Sequence, residues 1–600
     1  MAKKFYITTA IDYVNARPHI GHAFEKVLAD AIARWQKLNG KEVWFLTGTD
    51  ENAQKNVQAA KEAGLSVKEF VDRNAKLFLE LCKKLNISND DFIRTTEPRH
   101  VKVAQEIFKK IYDNGDIYKS TYKGLYCLGC EEFKTEKDLV DGKCPEHPNR
   151  NIEIVSEEAY FFRLSKYKDK IIKFVPGYVI PEARKKEILA RLENEELKDL
   201  CVSRTKFNWG IDVPFDKKHK IYVWIDALSN YITGSQGNWP ADLHVVGKGI
   251  NWFHSVIWPA LLLAAGYELP KKLLVHGYLT LSGKKVSKSY GNTIDPIGLI
   301  EKYGTDSVRY SLLRCPTFED SDYNEEILIT RHNTELADKL GNLVLRITAL
   351  AEKHGLEKTR NKLIERLKLK EIEKHMQNYE IDKALALIFE FVDVCNRYVQ
   401  ENELWKTHDK KKLYELCDSI KAIAILLWPF IPQTSEKIAE LFGFKIKSLK
   451  QIKEPLKVRK IKKSKILFKK IELKKESNFE EKNLEEKRKM ETIPFKEWQK
   501  LDLRVGRITE VKQHPNADKL VLLEVDLGEL GRRTLVAGLK NHYSEKELKG
   551  KQVIVFTNLE PKEVRGVRSE GMILAAVSKD KSKVILIAPE KAIEPGSKVE

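Results

Sequence analysis

Apolar positions change their spacing along this chain, and each change marks a new kind of element. Near the N-terminus KKFYITTA carries a short apolar stretch, FYI, AFEKVLADAIARWQKL places apolar residues three and four apart, and EVWFLTGTD carries another short apolar stretch, VWFL. That succession predicts strand, helix, strand, the opening of a βαβ unit. HKIYVWIDALSNYI, DLHVVGKG and KLLVHGYLTL repeat the strand style, so a parallel sheet is expected to resume after an interruption at about residues 116–200. From about 323 to 445 the spacing is helical throughout, as in ELADKLGNLVLRITALAEKHG and IDKALALIFEFVDVCNRYVQENELW, which predicts a helix bundle. The following KEPLKVRKIKKSKILFKKIEL has enough Ile, Leu and Phe to pack back, whereas the stretch after it is charged and poor in aromatics and reads as a linker. From about Phe495, short alternating runs such as RVGRITEVKQH, LVLLEVDLG, KQVIVFTNLE and KVILIAPE predict a β-barrel.

Composition narrows the classes. A chain of 600 residues divides into three to five domains at roughly 100–200 residues each. The 106 Lys plus Arg against 87 Asp plus Glu give a net charge of +19, which suits a polyanionic partner or reflects a lysine-rich composition. MAKKFYITTAIDYVNARPHIGH has no signal-peptide core and no run approaches a membrane span, so a cytoplasmic protein without a membrane partner is expected. Of the 8 cysteines, Cys127, Cys130 and Cys144 cluster, which favours a local metal site over a disulfide framework.

The candidate chemistry begins in the turn after the first strand, RPHIGH, with His19 and His22 flanking Gly21 at a helix start. Free backbone N–H groups and the helix dipole suit an anion there, and a missing side chain at Gly21 lets a nucleotide approach. The loop KVSKS brings Lys285, Ser287 and Lys288, two ammonium groups that can close over a triphosphate. Either motif alone is a common surface feature. Together they resemble the signature pair of class I aminoacyl-tRNA synthetases, with Val286 in place of the usual methionine.

TTAIDYVNARPHIGH, FLTGTDEN, YVWIDALSNY, WFHSVIWPALL and SKSYGNTIDP further resemble the methionyl-tRNA synthetase family, over essentially the whole chain. The resemblance implies a methionine pocket from Ala10, Ile11, Tyr13, Asp50, Trp224, Tyr231, His254 and Ile257. It implies an ATP site from His19, Gly21, His22, Gly247, Lys285, Ser287 and Lys288. Asp50 suits the substrate ammonium, Trp224 and Tyr13 suit a thioether, and a Tyr231–His254 pair would sit near sulfur. Two departures stand out: Asn52, where the family often has histidine, and Gly249, where it often has aspartate, which removes a partner for the adenosine end of ATP.

Cys127, Cys130, Cys144 and His147 form C-x2-C followed by C-P-E-H, a donor set for one four-coordinate structural zinc. It resembles the single-knuckle insertion of the family, expected to help position the tRNA acceptor end. Asn342 and Arg346 lie four apart on one helix face and Trp405 follows in NELWK. In the family such positions contact the tRNA(Met) anticodon, by hydrogen bonds and stacking on unpaired bases. Leu404, where proline often precedes the tryptophan, is a departure. LDLRVGRI, HPNADKL, VAGLKNHY and SEGMILAA resemble the C-terminal OB-fold tRNA-binding module, which implies RNA binding and a homodimer.

The resulting expectation is an α/β Rossmann-like catalytic domain (1–115 and 201–268) with a zinc-binding insertion (116–200). A loop-and-connecting segment (269–322), a helical anticodon-binding domain (323–473), a charged linker (474–492) and an OB-fold β-barrel (493–600) follow. The family resemblance implies that methionine attacks the α-phosphate of magnesium-bound ATP and passes from the adenylate to tRNA. His19, His22, Lys285 and Lys288 would stabilise the transition state. The rivals are a synthetase for leucine, isoleucine or valine, a small nucleotidyltransferase, and a catalytically silent tRNA-binding or assembly protein.

Overall fold

The structure is a computed structural model that describes residues 3–127, 132–134, 139, 142–145, 152–205, 208–281, 284–285, 294–457, 460–472, 495–515, 517, 520–577 and 583–599. It divides into two compact units, Met1–Glu472 and Leu473–Glu600.

The first unit is organised around a parallel sheet. Its strands are β1 (Lys4–Thr9), β2 (Asp12–Tyr13), β3 (Glu42–Asp50), β4 (Asp91–Arg94), β5 (Val179–Ile180), β6 (Leu243–Gly247) and β7 (Leu273–His276), in the order β2-β3-β1-β6-β7-β5 with β4 against β3. β1 is central, with Ile7 level with Phe45 of β3 and with Leu243 of β6. Because side chains alternate across a strand, Phe5 and Ile7 enter one core while Tyr6 enters the other. The first core is closed by helix α1 (Ile20–Leu38), which buries residues on nearly every side, including Glu25, Lys26, Asp30 and Arg34. Helix α2 (Gln54–Glu62) follows β3 directly.

One predicted strand is corrected. HKIYVWIDALSNYI splits into a strand, Asp216–Ile221, and helix α3, Val223–Thr233. The strand pairs antiparallel in a small separate sheet with Ser203–Arg204 and Asp212–Val213. The apolar run is long enough for a buried helix, and Ser229 in it donates back to the Ile225 carbonyl at 2.6 Å instead of interrupting it. The interruption contains a long antiparallel pair, Ile117–Cys127 with Glu153–Phe162.

Beyond Glu325 the unit is helical. Glu325–Arg331, the π-helical stretch His332–Gly341 and α4 (Asn342–His354) run on continuously, and α5 (Ile381–Glu401) and Lys410–Leu427 pack against them. The chain then packs back as expected: Ile452, Leu456, Ile461 and Phe468 join the same core, and Asn333 exchanges two hydrogen bonds with the backbone of Ile471. Residues 474–492, predicted as a linker, lie outside the described residues.

The second unit has a five-stranded antiparallel sheet built on Leu503–Gln513, paired with Val521–Asp526 and Gln552–Phe556. Its alternating residues Ile508, Leu523, Val525, Leu535, Val553 and Val555 form a separate core. Met572, Val577, Ile585, Ile587 and Ile593 stand exposed on the later strands and the segment after them. Among the described residues, no helix is long and apolar enough to cross a membrane.

Candidate active site

The strand order changes direction on either side of β1, and a cavity of about 360 Å³ opens at the carboxyl ends of β1, β3, β6 and β7. Ligands of open α/β sheets bind at such switch points. Ala10, Ile11, Tyr13, His19, Gly21, His22, Asp50, Trp224, Tyr231, Gly247 and His254 all line it. Ile257 is buried in the core and is not among the lining residues.

The two histidines cap α1. His19 Nδ1 accepts the Gly21 N–H at 3.1 Å, and His22 Nδ1 accepts the His19 N–H at 3.0 Å. The rings stack at 3.7 Å, 26° from parallel. A ring nitrogen that accepts an N–H carries no proton, so each imidazole is neutral and keeps its proton on Nε2. The pair therefore offers two N–H donors beside a helix N-terminus, which suits an oxyanion. A Cβ at Gly21 would stand 3.0 Å from His19 Cε1, so the glycine serves first to let the His19 ring close over the helix end.

The opposite wall is aromatic. Trp224, at the start of α3, stacks on Phe253 at 3.6 Å and meets Tyr13 edge-on at 6.5 Å. Phe253 and His254 lie in a π-helical turn, Phe253–Ile257, a widened turn of the kind that re-aims side chains at functional sites. His254 Nδ1 lies 2.9 Å from the Ile250 carbonyl, which can only accept, so the proton is on Nδ1. His254 Nε2 then accepts the Tyr231 hydroxyl at 2.8 Å. Burial pushes His254 down to about 4 and the Tyr231 phenol up, so both are neutral at pH 7. The wall is thus apolar and polarisable with one fixed polar pair, and the buried carboxylate of Asp50 also lines the cavity.

The sequence reading missed the charges beneath this site. Lys26, fully buried in α1, holds Asp12 at 2.7 Å. Burial pushes its ammonium down, but the carboxylates of Asp12 and Glu25 outweigh that and hold it above its ordinary value. Glu25 lies 3.1 Å from His276 Nε2, and both line the cavity, as does Lys55. A signal existed: Glu25, Lys26, Asp30 and Arg34 interrupt a helix whose apolar residues leave no solvent face.

The departures differ in kind. Asn52 is not among the lining residues; its amide donates to Asp226 at 2.8 Å and to the Thr95 carbonyl at 3.1 Å, a packing role. Gly249 does line the cavity, beside Lys248, which pairs with Asp320 at 2.6 Å.

The remaining predicted residues fall elsewhere. Lys285 belongs to a short strand, its backbone level with Thr280, whereas Ser287 and Lys288 lie outside the described residues. Cys127 and Cys144 are buried thiols, a donor chemistry that fits zinc, and Cys130 and His147 lie outside the described residues. Among the described residues no three metal-ligating side chains cluster. Asn342 is exposed on α4, and Arg346 donates to Asn396 of α5 at 3.1 Å. Trp405 is 42% exposed on a short helix bounded by Glu403 and His408, both at positive φ (44° and 50°).

Three family models match the chain: "tRNA synthetases class I (M)" over residues 5–153 and 148–348, "Anticodon-binding domain of tRNA ligase" over 366–500, and "Putative tRNA binding domain" over 503–598. The methionine–tRNA ligase of Clostridium perfringens is 42% identical, covering 100% of this chain and 99% of its own. That of Thermotoga maritima is also 42% identical, covering 99% and 100%. Among solved structures, Mycobacterium tuberculosis methionyl-tRNA synthetase in complex with methionyl-adenylate aligns with a TM-score of 0.74 and 36% identity, over 78% of this chain and 99% of that one.

Proposed function

The chain belongs to the methionine–tRNA ligase family of class I tRNA synthetases, and from that membership we propose that it activates methionine with ATP and transfers the methionyl group to tRNA(Met). One observation carries the reading: a neutral His19–His22 donor pair at a helix N-terminus faces the same cavity as a buried carboxylate and an aromatic, polarisable wall. The first serves a phosphate, the second an ammonium, the third a thioether.

In this reading Asp50 takes the methionine ammonium, and Ala10, Ile11, Tyr13 and Trp224 enclose the side chain. The Tyr231–His254 pair presents neutral polar atoms near sulfur, with Ile257 supporting the turn from behind. A methionine carboxylate oxygen forms a bond to the α-phosphorus as the bond to the bridging oxygen breaks and pyrophosphate leaves with the electron pair. His19 and His22 donate Nε2–H to the developing charge, and Gly21 and Gly247 admit the nucleotide, which enters as its magnesium complex. Lys285, Ser287 and Lys288 serve the leaving pyrophosphate. The terminal ribose hydroxyl of tRNA then attacks the adenylate carbonyl and AMP departs. Positioning and electrostatics supply the rate enhancement, without a covalent protein intermediate.

Around this core, Asn342, Arg346 and Trp405 read the anticodon, and Cys127, Cys130, Cys144 and His147 hold one structural zinc. The second unit binds tRNA, and the exposed Met572, Val577, Ile585, Ile587 and Ile593 support a homodimer through it. The domain limits are those drawn from the sequence, and the protein works in the cytoplasm. The test is amino-acid-dependent exchange of labelled pyrophosphate into ATP. Exchange with methionine but not leucine, isoleucine, valine or cysteine is expected; silence with all five from folded protein would favour an RNA-binding protein without catalysis.

A further inference from the structure

Lys55 is the only lysine or arginine among the described residues lining the cavity. It is the second residue of α2, a helix with no acidic residue in its first turn and no side-chain cap from Ala53. A cation there faces the positive end of the helix dipole, so local helix energetics disfavour it. The side chain turns back, and its ammonium lies 3.1 Å from the centroid of the Tyr13 ring, on the wall of the cavity.

The charges around it give that position a purpose. The described lining residues include three carboxylates, Asp12, Glu25 and Asp50. Asp12 is held from below by Lys26, and Glu25 is held by His276. The capping pattern leaves His19 and His22 neutral. A substrate with its ammonium on Asp50 and its side chain against Tyr13 and Trp224 has its carboxylate only two bonds from that ammonium. The carboxylate must then meet a triphosphate in the same low-dielectric space, where repulsion between like charges is strong.

Resting on the adenylation reading above, we propose that Lys55 is a further catalytic cation. Its ammonium exchanges the Tyr13 face for the methionine carboxylate and an α-phosphate oxygen as the two approach. The cation–π contact holds the ammonium in place beforehand and gives way to charge-assisted hydrogen bonds. The carboxylate oxygen then bonds to the α-phosphorus while the α–β bridging bond breaks and pyrophosphate takes the electron pair. Lys55 gives up no proton and offsets the charge accumulating at the α-phosphate.

The test compares the full-length protein with Lys55→Met and Lys55→Arg. Pyrophosphate exchange is measured at saturating methionine and ATP, methionine Kd by equilibrium dialysis, and folding by thermal melts. Lys55→Met is expected to lower the exchange kcat roughly 100- to 1000-fold, the scale of losing one charge-stabilising donor, with methionine Kd changed less than about threefold. Lys55→Arg keeps the charge and is expected to restore part of the rate, because its planar guanidinium does not reproduce the compact ammonium. A Met variant with kcat within about threefold of the parent overturns the inference, as does an equal loss in kcat and methionine affinity, because Lys55 would then only shape the pocket. A parent silent with methionine overturns the functional reading and this inference together, whereas an active parent separates the two.

Discussion

Helix α1 carries two buried charge clusters about one turn apart, and they are completed to different degrees. In the first, beneath the cavity, Lys26 holds Asp12 and His276 holds Glu25 Oε2, but Glu25 Oε1 lies 3.8 Å from Lys26 and has no hydrogen-bond partner among the described residues. In the second, Asp30 Oδ2 meets Arg34 Nε at 2.8 Å and Arg309 Nη2 at 2.7 Å, while Oδ1 accepts the Ser88 N–H at 2.7 Å. Arg309 also donates to the carbonyls of Leu85, Pro429 and Phe430, so each of its nitrogens is used. Burying a polar atom without a partner is costly. The closed cluster avoids that cost within the chain and joins α1 to the helical part of the unit. The open one leaves a buried acceptor without a partner on a residue that lines the cavity.

The comparison breaks most readily at Arg309. Replacing it with methionine keeps volume but leaves Asp30 short of one counter-charge and three buried carbonyls short of donors. Removing one partner of a buried ion pair typically costs about 3–5 kcal/mol, so Arg309→Met is expected to destabilise the first unit by that amount in denaturant unfolding. Exchange activity per folded molecule should stay near the parent value. A loss of activity without a loss of stability would place Arg309 in the catalytic machinery and erase the distinction between the clusters.

Which cluster is which was not legible in the sequence, and the reason is physical. His19, His22 and Gly21 were identifiable because capping chemistry is local: ring, glycine and helix start lie within four residues. The βαβ opening was identifiable because β1, α1 and β3 have short-range periods. Asp30 and Arg309 are separated by 279 positions in sequence, as their numbers show, and no spacing rule joins them. Nor does periodicity tell a helix buried on all sides from a strand, as the misread Val223–Thr233 shows. Lys55 stayed hidden for a related reason: a lysine in a first helical turn looks like surface until the turn is seen to face the cavity.

A smaller effect sharpens the closed cluster. Burial pushes the Asp30 carboxyl up, but the guanidinium groups of Arg34 and Arg309 outweigh it and bring it from 3.8 down to about 2. A depressed carboxyl means the unfolded chain holds the proton more tightly. The stabilisation is therefore complete above pH about 3.8 and disappears as pH falls through about 2. It amounts to roughly 2 kcal/mol at about 1.4 kcal/mol per pKa unit. Unfolding of the parent and of Asp30→Asn, followed from pH 5 to 2, should show the gap between them narrowing by about that amount. A gap constant over this range would mean that Asp30 gains nothing from its charge.

The smallest change tests the open cluster. Glu25→Gln keeps the shape of the side chain and removes its charge, while Lys26 retains Asp12 as its partner. Because one Glu25 oxygen has no partner of its own, stability should shift by less than about 1 kcal/mol, within the range of substitutions that break no completed network. The effect belongs instead to the bound state, where an amide offers one acceptor oxygen in place of two. Pyrophosphate exchange should fall about tenfold, or about 1.4 kcal/mol, mainly through the apparent KM for ATP. If the variant instead loses stability with its exchange parameters unchanged, the Glu25 cluster is as closed as that of Asp30, and its orphan oxygen is packing strain, not a waiting acceptor.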